Sequence, residues 1–177
     1  MISPFLILVD GPMGSGKTTT TKLLNQKLPN AARVARADIK RLIPNYKENE
    51  EALSVTRDVM HVMIDKYLER EVSVIVEQIT KAEGAEALLG IAHKHEATFN
   101  AFRLTAPADL RLARVHERTR EMMAINELPQ SKIDELAGYF EPDEKFFIDN
   151  PLDVAETINT QSMTPEQVAS AIIERLS

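Results

Sequence analysis

The chain has 177 residues, 44% of them hydrophobic and 27% charged, which suits one globular domain with a full core. It contains no cysteine, which excludes disulfides and thiolate zinc sites. The net charge of −6 argues against a long nucleic-acid footprint, although its distribution is uneven. Five of the eleven arginines lie between Arg103 and Arg120, whereas Asp134 to Glu156 carries eight acids against Lys145 alone. A local basic cluster on an acidic chain suits a small anionic ligand. No repeat, low-complexity tract or linker rich in Gly, Ser or Pro divides the sequence, so residues 1–177 read as a single domain.

Phe5-Leu6-Ile7-Leu8-Val9 is a short apolar run that ends at Asp10. It is too short to cross a membrane and lacks a basic leader and a small-residue cleavage site, so it reads as a buried first strand in a cytoplasmic protein. Gly11-Pro12-Met13-Gly14-Ser15-Gly16-Lys17-Thr18 then completes the pattern G-x-x-x-x-G-K-[ST]. Thr18 to Leu28 follows as a helix, with Leu23, Leu24 and Leu28 at helical spacing. Strand, glycine loop and helix together form the context in which this motif cradles phosphates. The glycines let the backbone turn tightly with its N–H groups pointing inward, and the helix N-terminus, with Thr18 and Thr19 in its first turn, adds about half a positive charge. Lys17 would reach the β- and γ-phosphates, and the Thr18 hydroxyl would ligate Mg²⁺. The expected ligand is a nucleoside triphosphate, ATP with Mg²⁺.

Ala32 to Ala37 is a short β-compatible segment ending at Asp38. Glu50 to Glu69 is a long helical pattern that places Leu53, Val59, Met60, Met63, Ile64, Tyr67 and Leu68 toward the core. Val72 to Val76 is β-branched and ends at Glu77. A helix is expected over Glu83–His95, a strand over Thr98–Leu104, and a helix from Pro107 to about Met123. Another helix runs from Gln130 to about Phe140, ended by Gly138 or Pro142. A strand near Val154–Asn159 and a final helix capped by Thr164-Pro165-Glu166-Gln167 close the chain; Val168, Ala171, Ile172 and Leu176 form that helix's apolar face. This alternation predicts an α/β fold of three layers, a five-stranded parallel sheet with helices on both faces and a helical lid over about 107–150. The glycine loop, Asp38 and Glu77 each follow a strand, so all three gather at the carboxyl edge, where such sheets bind ligands.

Two further motifs accompany the glycine loop: Asp38-Ile39-Lys40-Arg41 with Pro44 and Tyr46, and Arg114-Val115-His116-Glu117-Arg118. With them the chain resembles a small P-loop kinase of the nucleoside-monophosphate-kinase-like group. Within that group it is most similar to the branch of polynucleotide 5′-hydroxyl kinases, zeta-toxin kinases and chloramphenicol phosphotransferase. The resemblance spans nearly the whole chain and is weakest between Ala124 and Asp153. It implies that Asp38 meets the acceptor hydroxyl and that Arg41, one helical turn on, contacts the acceptor or the transferring phosphoryl. It also implies that Arg114 stacks on adenine while Arg118 approaches the phosphates.

Each position keeps a plainer alternative. A carboxylate at Asp38 can accept the proton of an attacking hydroxyl, or it can cap the following helix. Arg114 and Arg118 share one helix face and suit nucleotide contacts, yet Glu117 and Glu121 could simply neutralise them. Arg111 and Arg120 are possible substitutes. Glu77 can hold a Mg²⁺ water, touch the acceptor or merely end its strand; the usual metal-holding acid of the family is Asp. Asp10 reads as structural. His93 and His95 do not share a helix face, and His61 and His116 stand singly, so none forms a metal pair. Met122, Met123, Phe140, Phe146 and Phe147 could line an acceptor pocket but fit ordinary core packing better. Tyr139-Phe140-Glu141-Pro142 has no evident chemical task.

The expected activity is an ATP-dependent kinase that phosphorylates a hydroxyl on a small molecule or nucleotide. The alternatives are a nucleoside-monophosphate kinase, for which only Arg33, Arg36, Arg41 and Arg57 are available from the acceptor half, and a non-kinase nucleotide-binding NTPase. A guanine-reading N-K-x-D is absent: Asn150-Pro151-Leu152-Asp153 lacks the lysine, and Thr80-Lys81-Ala82-Glu83 comes too early. A single-stranded 5′ end is the one nucleic-acid acceptor the acidic charge tolerates. The chain is expected to act away from membranes, as a monomer or homodimer. Acceptor specificity falls to residues 43–52 and 124–149, which carry no readable code.

Overall fold

The structure, a computed structural model, describes residues 3–46 and 49–176. Lys47 and Glu48, inside the expected specificity segment 43–52, lie outside the described residues. Twelve elements follow in chain order: β1 (Phe5–Asp10), α1 (Lys17–Lys27), β2 (Ala31–Ala35), α2 (Arg36–Lys40), α3 (Glu50–Glu69), β3 (Ser73–Glu77), α4 (Ala82–Lys94), β4 (Thr98–Thr105), α5 (Ala108–Met123), α6 (Gln130–Asp149), β5 (Ala155–Asn159) and α7 (Pro165–Glu174). The five strands form one all-parallel sheet in the order β2-β3-β1-β4-β5.

β1 lies at the centre, and Leu6, Ile7, Leu8 and Val9 are each fully buried, as a strand covered on both faces requires. Leu6, Leu8, Val74 and Val76 point to one face, where Met60, Ile64 and Leu68 of α3 and Ala85 and Leu88 of α4 meet them. Ile7, Val9, Ile75 and Leu104 point to the other, against Leu24 of α1 and Val168, Ala169 and Ile172 of α7. The capping box at Thr164 and Gln167 starts α7 as the sequence predicts. Among the described residues, no helix is long and apolar enough to cross a membrane.

Two expectations need correction. Leu53, Val59 and Tyr67 of α3 are exposed, and the core row is Ala52, Thr56, Met60, Ile64 and Leu68. Steps of four residues hold that row against the sheet, and the Thr56 hydroxyl bonds the Ala52 carbonyl at 2.6 Å, which makes its burial affordable only through its own backbone. α6 also passes both expected stops, Gly138 and Pro142, and runs to Asp149. Leu136 and Phe140 dock on Val115 of α5, and tertiary contacts just beyond Pro142 hold the last turns in place.

Candidate active site

The glycine loop is built from backbone conformations that side chains resist. Gly11, Gly14 and Gly16 have φ of 142°, 80° and 101°. A Cβ at Gly11 would lie 2.3 Å from the Leu104 carbonyl oxygen, and one at Gly14 would lie 2.4 Å from that of Arg111. At Gly16 nothing stands within 4 Å, so the loop opens there toward the start of α1. Lys17 Nζ donates to the carbonyls of Gly11 and Pro12, the latter at 2.9 Å. Burial pulls the Lys17 ammonium down to about 8, against the opposing attraction of Asp10, Asp143 and Glu77. The Ser15 hydroxyl is buried with no partner among the described residues. A loop open at the N-terminus of α1, a desolvated cation and an orphan hydroxyl fit a polyphosphate.

Parallel register brings the strand-end acids together. Val9 of β1 faces Glu77 of β3, and Glu77 faces Ala35 of β2. Glu77 accepts hydrogen bonds from the hydroxyl of Thr18 and, at 2.8 Å, from that of Thr21. It also pairs with Arg33, whose guanidinium reaches Thr21 Oγ1 at 2.9 Å and Asp38 at 2.9 Å. Arg41 holds the other Asp38 oxygen at 3.2 Å. Burial alone would lower the Arg33 pKa, but its bonds to Asp38 and Glu77 raise it. One connected chain therefore runs Thr18–Glu77–Arg33–Asp38. Hard oxygens at Thr18 and Glu77 fit Mg²⁺ held through a hydroxyl and a water. Among the described residues no cluster of three or more His, Asp or Glu could bind a metal alone, so phosphate oxygens would have to complete the shell.

Asp38 is not the first residue after its strand. β2 ends at Ala35, two residues short of the expected Ala37, and Asp38 is the third residue of α2. Ala35 is the N-cap and no side chain caps the helix, so Asp38 serves Arg33 and Arg41 instead. The sequence offers Arg33 only as one of four arginines available to an acceptor phosphate. Its signal in the sequence is an arginine flanked by alanine and valine within a short β-compatible segment.

Helices α5 and α6 occupy the stretch expected to form a lid and share a small core of Val115, Leu136 and Phe140 that also touches Met13 of the loop. Arg111 is 1% exposed and donates to the carbonyls of Ala106 at 3.0 Å and Met13 at 2.9 Å. It pairs with Glu144, lies 3.5 Å from Asp143 and sits 5.2 Å from the Phe140 ring centre. Arg114 donates twice to Thr160 at 3.0 Å, to Oγ1 and to the carbonyl, so it spans the glycine loop and the β5–α7 connection. Arg118 is exposed and makes no hydrogen bond or ion pair among the described residues; its charge acts on Lys17. Arg120 pairs with Glu117 on the helix surface. Of the five candidate pocket residues, Phe140 is core, Met122 and Met123 are exposed, and Phe146 stacks edge-on with Phe147 at 5.3 Å.

Asp10 is structural, as expected. It is fully buried, accepts from Arg103 Nε at 2.8 Å and from the Thr80 amide at 3.3 Å, and so fixes the floor beneath the loop. Burial raises its pKa while Arg103 opposes the shift. Asp10→Ala is expected to lower stability by about 3–5 kcal/mol, because it strands a buried guanidinium. Chemical denaturation checks this, and adding Arg103→Leu should recover most of the loss.

Solved structures that share the fold include the following three. A protein from Chloroflexus aurantiacus j-10-fl, provisionally described as a kinase, is 16% identical over 99% of this chain and 97% of its own, with a TM-score of 0.71. The tunicamycin resistance protein of Deinococcus radiodurans is 17% identical over 98% and 96%, with a TM-score of 0.63. Shikimate kinase from Acinetobacter baumannii, in complex with shikimate, is 21% identical over 98% and 93%, with a TM-score of 0.61. No curated protein matches the chain. The architecture is that of the P-loop kinases, in agreement with the resemblance carried by the motifs. Residues 6–142 match the AAA domain family AAA_33, and the chain belongs to that family.

Proposed function

We propose that the chain transfers the γ-phosphoryl group of MgATP to a hydroxyl on a small molecule or nucleotide. The observation that carries this reading is the unbroken chain from Thr18 through Glu77 and Arg33 to Asp38, which ties the phosphate cradle to a carboxylate on the acceptor side. Bound Mg²⁺ would supply charge neutralisation on the phosphates. Main-chain N–H groups of Gly14 to Thr18 hold the phosphates, and Lys17 turns from the loop carbonyls toward the γ-phosphoryl. Glu77 and Thr18 would hold the metal. Asp38 accepts the proton as the acceptor oxygen bonds to phosphorus and the bond to the leaving ADP oxygen breaks. Arg118 carries charge developing on the transferred group, and Arg114 braces the nucleotide side of the loop.

Engagement of Arg33 and Arg41 by Asp38, with Arg57 paired to Asp58 at 3.8 Å, weighs against a nucleoside-monophosphate acceptor, since three of the four available arginines already have a partner. The test is an ATP-consumption screen across sugars, nucleosides, antibiotics and 5′-hydroxyl oligonucleotides. One acceptor class should raise the basal rate and appear phosphorylated. ATP turnover that no hydroxyl compound raises would instead mark a non-kinase NTPase.

The two lid arginines should separate. Arg114→Ala is expected to weaken MgATP binding with a smaller effect on turnover. Arg118→Ala should slow transfer, on the order of 10³-fold, the scale of a transition-state arginine. Calorimetry and steady-state rates on both variants check the split.

A further inference from the structure

We propose that Asp143 is a built-in competitor for the phosphate cradle: its carboxylate seats on the Met13 amide, at the edge of the loop whose Lys17 the nucleotide's terminal phosphate claims. This rests on reading the glycine loop as a triphosphate site. Asp143 Oδ2 accepts a hydrogen bond from the Met13 N–H at 2.8 Å, across 130 residues of sequence. The side chain is only 13% exposed, so the charge is placed inside the loop's mouth and not in solvent. Arg111 holds the Met13 carbonyl from the same side, so the lid grips both polar groups of one loop residue. An anion seated on a main-chain N–H of the glycine loop brings its charge beside the amides and the ammonium that would hold the phosphates. Lys17 registers the same carboxylate among the charges that favour its ammonium form.

The two anions repel each other. A triphosphate arriving at Lys17 brings several negative charges to a partly dry site that already holds one, and repulsion there is weakly screened. The local build lets Asp143 give way. Pro142, immediately before it, has no N–H, so the helix bond to the Gly138 carbonyl is absent at that turn. Around Gly138 itself there is open space. Leu136 and Phe140 stay packed on Val115, and the longer Glu144 keeps an acid on buried Arg111 as Asp143 turns away. The stretch 139–142 thereby gains a task as the yielding turn behind the competitor. Occupancy of the cradle is coupled to the end of α6, and the lid senses whether the terminal phosphate is present.

Calorimetric titration of the full chain with MgATP and with MgADP at low ionic strength, on wild type, Asp143→Asn and Asp143→Ala, tests this. Removing the carboxylate should tighten MgATP binding roughly tenfold, the scale of one partly screened charge contact, and MgADP by less. The gain should shrink in about 0.5 M salt, where the Debye length falls to a few ångströms. A purely structural brace would instead loosen both nucleotides in both variants. Hydrogen exchange on wild type gives a second readout, with MgATP but not MgADP lowering protection around residues 143–149. Folded variants whose MgATP affinity is unchanged or weaker would overturn the competitor while leaving the triphosphate site standing. A wild type that binds neither nucleotide would remove the site reading and the competitor with it.

Discussion

Lys17→Ala is expected to cut phosphoryl transfer by about 10²–10³-fold or more, the cost of removing a preorganised charge from a transition state. The fold should survive. Lys17 donates only to the carbonyls of Gly11 and Pro12, and its burial disfavours the ammonium, so deletion removes a desolvated charge and strands no buried acid. Wild-type and variant melting curves should nearly coincide while turnover collapses. The pH dependence carries the same signature. With the Lys17 ammonium held down to about 8, the charged form dominates below that pH and is lost above it. MgATP affinity of wild type should therefore fall as pH rises through about 8, with bound phosphate moving the midpoint upward, and Lys17→Ala should lack that step. A variant that retains turnover would refute the assignment of the glycine loop.

Asp38→Asn is the second large effect. If Asp38 takes the acceptor proton, the amide should lower turnover by roughly 10²–10⁴-fold, the range of general base catalysis, with MgATP affinity little changed. The substitution is nearly isosteric, and Arg33 keeps Glu77 as a charged partner, so the bridge to Thr18 persists. Steady-state rates and a binding isotherm separate the two roles. Full turnover in the variant would reduce Asp38 to an anchor for Arg33 and Arg41.

The glycine-loop half of the candidate site was legible in the sequence because it is local. Gly11 to Thr18 encode their own geometry: positive φ needs glycine, the cradle is main chain, and the helix that follows begins at Lys17. Strands ending at Asp10 and Glu77, and the alternation that makes the sheet parallel, could be read for the same reason. Local pattern misled where two answers were equally periodic or where a breaker was overruled. On α3, Leu53, Val59 and Tyr67 were as apolar as the residues that do face the sheet, and only the docked surface chose the row through Met60 and Ile64. In α6, Pro142 sacrifices one helix bond, yet the pairing of Asp143 and Glu144 with buried Arg111 keeps the chain helical to Asp149.

What only the tertiary structure decided are the contacts between charged side chains distant in sequence. Arg33 meets Glu77 across 44 residues, and Asp143 reaches Met13 across 130. No propensity or spacing encodes such pairs, because a carboxylate or guanidinium looks the same in sequence whether it is solvated or desolvated. The sheet register and the packing of α6 on α5 set which acid meets which donor, and burial then fixes each choice by making an unpaired charge costly.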